Sequence, residues 1–288
     1  MMLTPIAHLF VSKRFAPIIA LVLAVGLFMA PAARAAEPAE LLRKAAIGSP
    51  ATVDHSVWDR LLKQYVQTGA DGITRVDYAP FKARGHSPLK QYIRDLEATD
   101  LAGLDRPEQF ALLANLYNAK TVDIVLDHYP VASIKDISLG GTLFASLTGG
   151  PWKAKVLRLE GVEFSLDDIE HGILRAVFKD PRVHYAVNCA SIGCPNLQPE
   201  AFTGARLSQQ LDAAAKAYVN HPRGAAVAEG HLVISSIYNW FKADFGGSDE
   251  GVMRHLKAYA APPLLDQLKS VRSVSGYAYD WHLNDIKQ

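Results

Sequence analysis

The sequence predicts an α+β fold: one helix-rich globular domain packed around a small, mainly antiparallel sheet. Three observations carry this reading. Segments with apolar residues at helical spacing outnumber those that alternate. The strand-like segments come as hairpins, one turning at Glu160-Gly161 and one around Gly230. Helices separate these hairpins, so the regular strand–helix–strand alternation of a doubly wound sheet is missing.

The elements follow in chain order. Residues 1–35 contain no acid; Lys13 and Arg14 precede an apolar run from Phe15 to Ala30, and Ala33-Arg34-Ala35 has the form of a cleavage site. This order reads as a secretory signal peptide. An uncleaved anchor is the weaker reading, because the run is short of the roughly 20 residues a bilayer span needs. No cysteine follows the run, which excludes a lipidated N-terminus. Residues 36–52 form an Ala- and Pro-rich arm, and residues 53–288 a single globular domain. A helix is expected over 55–66, from Val57, Leu61, Leu62 and Tyr65. Residues 72–81 read as a strand ending at Pro80, with a helix near 86–98. The longest helix covers 107–127. After the 155–164 hairpin, 165–178 is helical with Ser165 as N-cap. Residues 182–190, "RVHYAVNCA", read as a buried strand. Helix follows from Thr203 to about Asn220, a hairpin over 225–235, helix over 237–246, and more helix to Ala261. The tail holds an aromatic segment with Tyr277, Tyr279 and Trp281, read as core packing rather than a pocket cover.

Composition narrows the function classes. Removing 35 of the 288 residues would leave 253, and the 30 basic residues would lose Lys13, Arg14 and Arg34, leaving 27 against 29 acids. The resulting charge of about −2 leaves no electrostatic footprint for nucleic acid. No Gly-rich phosphate loop follows a strand, which argues against Walker or dinucleotide binding. No cofactor is expected. The expected location is the periplasm or the exterior, with membrane contact only through the signal segment before cleavage.

Several polar residues fall where apolar ones belong. On the wheel of the long helix, Lys120 and Asp123 mark a water-facing arc. Asn115 and Asn118 lie on the opposite side, among Ala111, Val122 and Val125. A buried amide without partners costs about 1–3 kcal/mol. The two asparagines either tie down a neighbouring backbone or line a pocket. On the 165–178 helix, Glu170 sits at the edge of the apolar arc, with His171 and Arg175 on the other side. If residues 182–190 are extended, His184 and Cys189 are roughly 16 Å apart and cannot pair directly. His171 is then the better imidazole.

The only two cysteines, Cys189 and Cys194, stand in "NCASIGCP". Four readings compete: a local disulfide, with Gly193 free to turn; a zinc site with His171 or His184, at the edge of usual spacings; inert buried thiols; and a catalytic thiol. Cys189 would stand where a strand breaks into a turn. Cys194, before Pro195, would cap a short helical turn.

Four stretches carry a resemblance: "EQFALLANLYNAKTVDIVLDHYP", "LDDIEHGILR", "DPRVHYAVNCASIGCPNL" and "ISSIYNWFKADFG", in this order between about 107 and 246. Together they resemble the domain of unknown function family 547, departing from it at Leu113-Ala114. The resemblance carries over hallmark positions: Asn115, Asn118, Glu170, His171, Arg175, His184, Cys189 and Ser191, with Cys194 and Asp244 less closely. These residue types also suit a papain-like or transglutaminase-like thiol site, an analogy of residue types that establishes no reaction.

The leading expectation is an exported enzyme with a cysteine nucleophile, acting as a hydrolase or acyltransferase on an amide or thioester of a small-molecule or peptide ligand. Cys189 attacks, and His171 or His184 takes its proton. Glu170 or Asn115 orients that imidazole. Backbone N–H groups between Ala190 and Gly193 receive the oxyanion. Asn115, Asn118, Arg175, Ser191 and Cys194 contribute to binding. The first alternative is a non-catalytic periplasmic binding module with a Cys189–Cys194 disulfide. A metal-binding protein using His and Cys is the other.

Overall fold

The computed structural model describes residues 38–42, 44–139 and 150–287. The expected signal peptide, 1–35, lies outside the described residues, as do residues 36, 37 and 43 of the arm. Where described, the arm is anchored: Pro38–Leu42 forms a 3₁₀ turn and Leu42 is buried. Ala36–Gln288 forms one compact unit.

The fold is α+β and rich in helix. Helix α1 (Ser56–Tyr65) buries Trp58, Leu61, Leu62 and Tyr65. It runs into the antiparallel hairpin β1 (Val66–Thr68) and β2 (Thr74–Val76). The strand ends before Pro80 because Tyr78–Pro80 is already helical. Proline is tolerated in a first helical turn, where its missing N–H has no intrahelical role. A π turn over Phe81–Gly85 then leads into α2 (His86–Glu97).

The central element is α3 (Arg106–His128), capped by Asp105, whose Oδ1 accepts from Glu108 N at 3.1 Å. It is buried nearly all round. The expected water-facing arc is therefore corrected: Asp123 is only 2% exposed. Helix α2 packs over that side, where His86 and Lys90 reach Asp123 Oδ1 at 2.8 and 2.7 Å. The pairing makes a buried carboxylate tolerable.

Hairpin β3 (Leu157–Leu159) and β4 (Val162–Phe164) turns at Glu160 and Gly161, both at positive φ. Ser165 and Asp168 then cap each other: Ser165 N donates to Asp168 Oδ2 at 2.7 Å and Asp168 N to Ser165 Oγ at 3.1 Å. The helix they start, α4 (Asp168–Phe178), winds as a π-helix. Its turns are wider than α-helical ones, so the α-helical wheel misplaces its side chains.

The expected strand at 182–190 is corrected to a helical turn, α5 (Val183–Ala186), followed by extended backbone from Val187. The Asp180 side chain accepts from Arg182 N at 2.9 Å and starts the turn behind Pro181. This local capping overrides the strand-like composition. The rest comprises α6 (Leu207–Val219), the hairpin β5 (Ala225–Ala228) and β6 (His231–Ser235), α7 (Ile237–Trp240), α8 (Asp249–Tyr259), α9 (Pro262–Ser270) and β7 (Val274–Ala278). The tail strand β7 runs parallel to β6. Among the described residues the strands make three separate small sheets.

Two apolar clusters form the core. One gathers α1–α4; the other gathers α6, α8, α9 and the three-stranded sheet. The segment from α5 to the cysteines is their seam: Val183, Ala186, Val187 and Ala190 belong to the first cluster, and Tyr185 to the second.

Candidate active site

A cavity of about 170 Å³ opens beside this seam, and both cysteines line it. Cys189 is half-buried and Cys194 buried, both as free thiols. Their sulfurs lie 3.1 Å apart. Ser191 Oγ and Tyr279 OH lie 3.2 and 3.1 Å from Cys189 Sγ. The contact with Cys194, helped by these two hydroxyls, lowers the Cys189 thiol below its ordinary value. Burial pushes Cys194 well above its own. Of the two sulfurs Cys189 is the more acidic, although Cys194 Sγ accepts the Cys189 N–H at 3.0 Å. Burial also holds the Tyr279 phenol well above its ordinary value, so it remains a donor.

The loop is held from three sides. Asn188 closes it, its Nδ2 donating to Pro195 O at 2.7 Å and its Oδ1 accepting from Ala190 N at 2.9 Å. Ala190 takes φ 58°, so the left-handed turn beside Cys189 falls on an alanine rather than on Gly193. Strained backbone of this kind gathers at functional sites. Gly193 serves a different purpose. A Cβ there would meet Asp280 N at 2.7 Å and its O at 2.8 Å, so glycine lets the C-terminal tail pass in contact. The tail is tied by Ile192 N to His282 O and Gly193 N to Asp280 O, both 2.8 Å. Ala190, Ile192 and Gly193 have therefore committed their N–H groups. Of the donors expected on this turn, these three are taken, and the Ser191 N–H is not among these bonds.

The two histidines are unequal. His184 Nε2 lies 2.7 Å from Asp244 Oδ2, and Arg175 Nε donates to the same oxygen at 2.6 Å. These bonds, that of His184 first, hold the Asp244 carboxyl well below the usual carboxylate range. An ionised Asp244 requires hydrogen on His184 Nε2, which leaves Nδ1 as the free nitrogen. The ring stacks on Phe241, with centroids 4.3 Å apart, and lines the cavity. His171 also lines it, but its Nδ1 is 3.2 Å from Arg175 Nη1. A guanidinium only donates, so that nitrogen is already an acceptor. The preference for His171 is corrected to His184; the helical turn removes the extended separation from Cys189 on which it rested. In this resting arrangement Cys189 Sγ is held by Cys194, Ser191 and Tyr279, and no described imidazole is among its hydrogen-bond partners.

Glu170 and His171 both face the cavity, although the α-helical wheel sets them apart; π winding explains the difference. Tyr117 OH donates to Glu170 Oε2 at 3.1 Å. Glu170 Oε1 stands 3.8 Å from His184 Nδ1 and 3.7 Å from His171 Nδ1. The orienting carboxylate of His184 is Asp244, rather than Glu170 or Asn115.

Asn115 and Asn118 are backbone clamps outside the cavity lining. Asn115 exchanges two bonds with Phe202, Nδ2 to O at 2.8 Å and Oδ1 from N at 3.0 Å. Asn118 spans the approach to Cys189: its Nδ2 donates to Ala186 O and its Oδ1 accepts from Asn188 N, both at 2.8 Å. Arg175 sits behind the site and lies over Phe241 at 4.6 Å from the ring centroid.

Sequence reasoning missed Tyr117, Asp167, Trp152, Trp240 and Phe241 on the cavity wall. It also read Tyr279 and Trp281 as core, whereas both line the cavity. Their alternation in the tail was the available signal, since one face of a strand carries every second residue. Among the described residues, the side chains grouped at metal-ligand spacing are His86, Asp123 and Asp127. Lys90 bridges both of those carboxylates, at 2.7 and 3.0 Å.

Comparison with known proteins yields one family. Residues 101–219 match the family described as protein of unknown function, DUF547. The resemblance read from the sequence is thereby shown for its first three stretches, while the fourth lies beyond the match. No curated protein and no solved structure matched the chain.

Proposed function

We propose that this DUF547 chain is an exported thiol enzyme that transfers or hydrolyses an acyl group held as an amide or thioester. One observation carries the reading: the acidified Cys189 shares a cavity with His184, whose Nε2 is anchored on Asp244 and whose Nδ1 is free. Nucleophile, base and orienting carboxylate are the parts covalent acyl transfer needs.

His184 Nδ1 takes the proton of Cys189, and the resulting thiolate attacks the carbonyl carbon. Tyr279 and Ser191, which hold the thiolate at rest, donate their O–H groups to the developing oxyanion. The C–N or C–S bond then breaks, and the leaving group takes a proton from His184 Nδ1. A water molecule or acceptor amine attacks the thioester, returning its proton to His184 and releasing the thiolate. This requires the acyl group to sit between sulfur and imidazole, since resting catalytic contacts are often looser than those with substrate.

The test is incubation of the full chain with p-nitrophenyl acetate, followed by peptide mapping. An acetyl group on Cys189 that turns over, and is lost in Cys189→Ser, is expected. Acetylation at other residues, or none on Cys189, would sink the reading. A second reading, a binding module, is favoured by the 3.1 Å between sulfurs, from which a local disulfide can close. Resting protein that stays oxidised and still binds ligand would decide for it.

A further inference from the structure

The catalytic reading leaves most of the cavity wall unused. Four of its rings form one continuous aromatic surface: Trp240, Tyr279, Trp281 and Trp152. Centroids are 4.9 Å apart for Trp240–Tyr279, 4.7 Å for Tyr279–Trp281 and 5.8 Å for Trp152–Trp281. Among the described residues the cavity lining also includes two carboxylates, Glu170 and Asp167, and no Lys or Arg. Glu170 is 8% exposed, yet the described residues offer its Oε1 no donor within hydrogen-bond range. The nearby guanidinium of Arg175 is committed to Asp244 and His171. One ring of this wall already meets a cation, with Lys135 Nζ 5.1 Å from the Trp281 centroid.

Aromatic faces attract cations, and more strongly when water is excluded. A buried carboxylate with an open acceptor site needs a donor, best a charged one. An acyl chain alone would satisfy the rings and leave Glu170 unpaired; an acid would be repelled. We infer that the cavity recognises a substrate by an alkylammonium group, seated against the aromatic wall with one N–H donated to Glu170 Oε1. This rests on the acyl-transfer reading for the identity of the site and adds the substrate class: amides or thioesters that carry a protonated amine near the reacting carbonyl.

The test uses binding alone, so it separates from catalysis. The full chain with Cys189→Ser is titrated with n-butylammonium, n-butanol and butyrate, followed by calorimetry and tryptophan fluorescence. n-Butylammonium should bind roughly tenfold tighter than n-butanol, and butyrate more weakly than either. Glu170→Gln, which keeps an acceptor for Tyr117, should remove most of that preference while leaving n-butanol unchanged. Asp167→Asn, at a more exposed position, should reduce it in part. Equal binding of the alcohol, preference for butyrate, absence of n-butylammonium binding, or a preference untouched in both variants would each overturn the inference. If Cys189 still turns over p-nitrophenyl acetate in the unsubstituted protein, such a failure removes the ammonium group and leaves acyl transfer standing.

Discussion

His184 Nε2 lies 2.7 Å from Asp244 Oδ2, and that bond decides which nitrogen of the ring faces the cavity. His184→Gln should lower acyl turnover by about 10²–10⁴, the usual range for a lost general base. Asp244→Asn should lower it too, because an amide tolerates either tautomer of the ring. His171→Gln should cost far less. Equal losses for both histidines in kcat would contradict the assignment of His184.

The Asp244 pair also sets a pH dependence of stability. Its carboxyl is depressed in the folded protein, so its contribution is complete above about pH 4, the ordinary carboxylate value, and is lost as pH falls through the folded value. Unfolding midpoints followed from pH 6 downward should therefore fall less steeply for Asp244→Asn than for the unsubstituted protein. Parallel acid limbs would show that this pair contributes nothing.

The thiols should separate by reactivity. Iodoacetamide should alkylate Cys189 below the ordinary thiol value of about 8.5, while Cys194 stays unmodified. Cys194→Ala should move the Cys189 profile upward, since Cys194 is the first cause of its acidity. Peptide mapping across pH 5 to 9 reads both. Faster labelling of Cys194 would reverse the roles assigned to the pair.

Oxidised glutathione should close the Cys189–Cys194 bridge. Each thiol loses one hydrogen while the glutathione disulfide is reduced to two thiols. The protein should become two hydrogens lighter and inactive, and dithiothreitol should restore both properties. Stable glutathione adducts without an internal bridge would count against it.

Gly193→Ala should be harmful and Ala190→Gly mild. The added Cβ at 193 would press on Asp280 backbone at 2.7 Å and push the tail from the loop. A loss of about 1–3 kcal/mol is expected, together with a higher Cys189 pKa as Tyr279 withdraws. Ala190→Gly relieves the positive φ and should stay within about 1 kcal/mol of the parent. Denaturant unfolding and thiol titration measure both variants.

Much of this was legible in the sequence, and the failures share a cause. The long helix, both expected hairpins and the burial of Glu170 follow from periodicity and spacing. Asn115 and Asn118 were legible as buried amides, though only coordinates show that they grip Phe202 and the Ala186–Asn188 backbone. Residues 182–190 read as strand because Val, Tyr and Val suit one; the Asp180 cap at their start prevails. The π winding of α4 leaves no periodic trace in so short a segment, so His171 fell on the wrong side. The tail aromatics were misread because a residue such as Tyr279 acquires meaning from a partner 90 positions away.

That separation of 90 residues means that the surroundings of Cys189 are completed from the far end of the chain. Of the residues that complete it, Asp244, Phe241, Tyr279 and Trp281 all follow the segment 101–219 that defines the family match. Contacts so distant in sequence close late, after shorter loops have formed. A growing chain that has just exposed Cys189 holds an ordinary thiol, without its phenol donor or its anchored imidazole. On the proposed reading the thiol gains its hydroxyl donor and anchored imidazole only after the tail has docked beside Gly193.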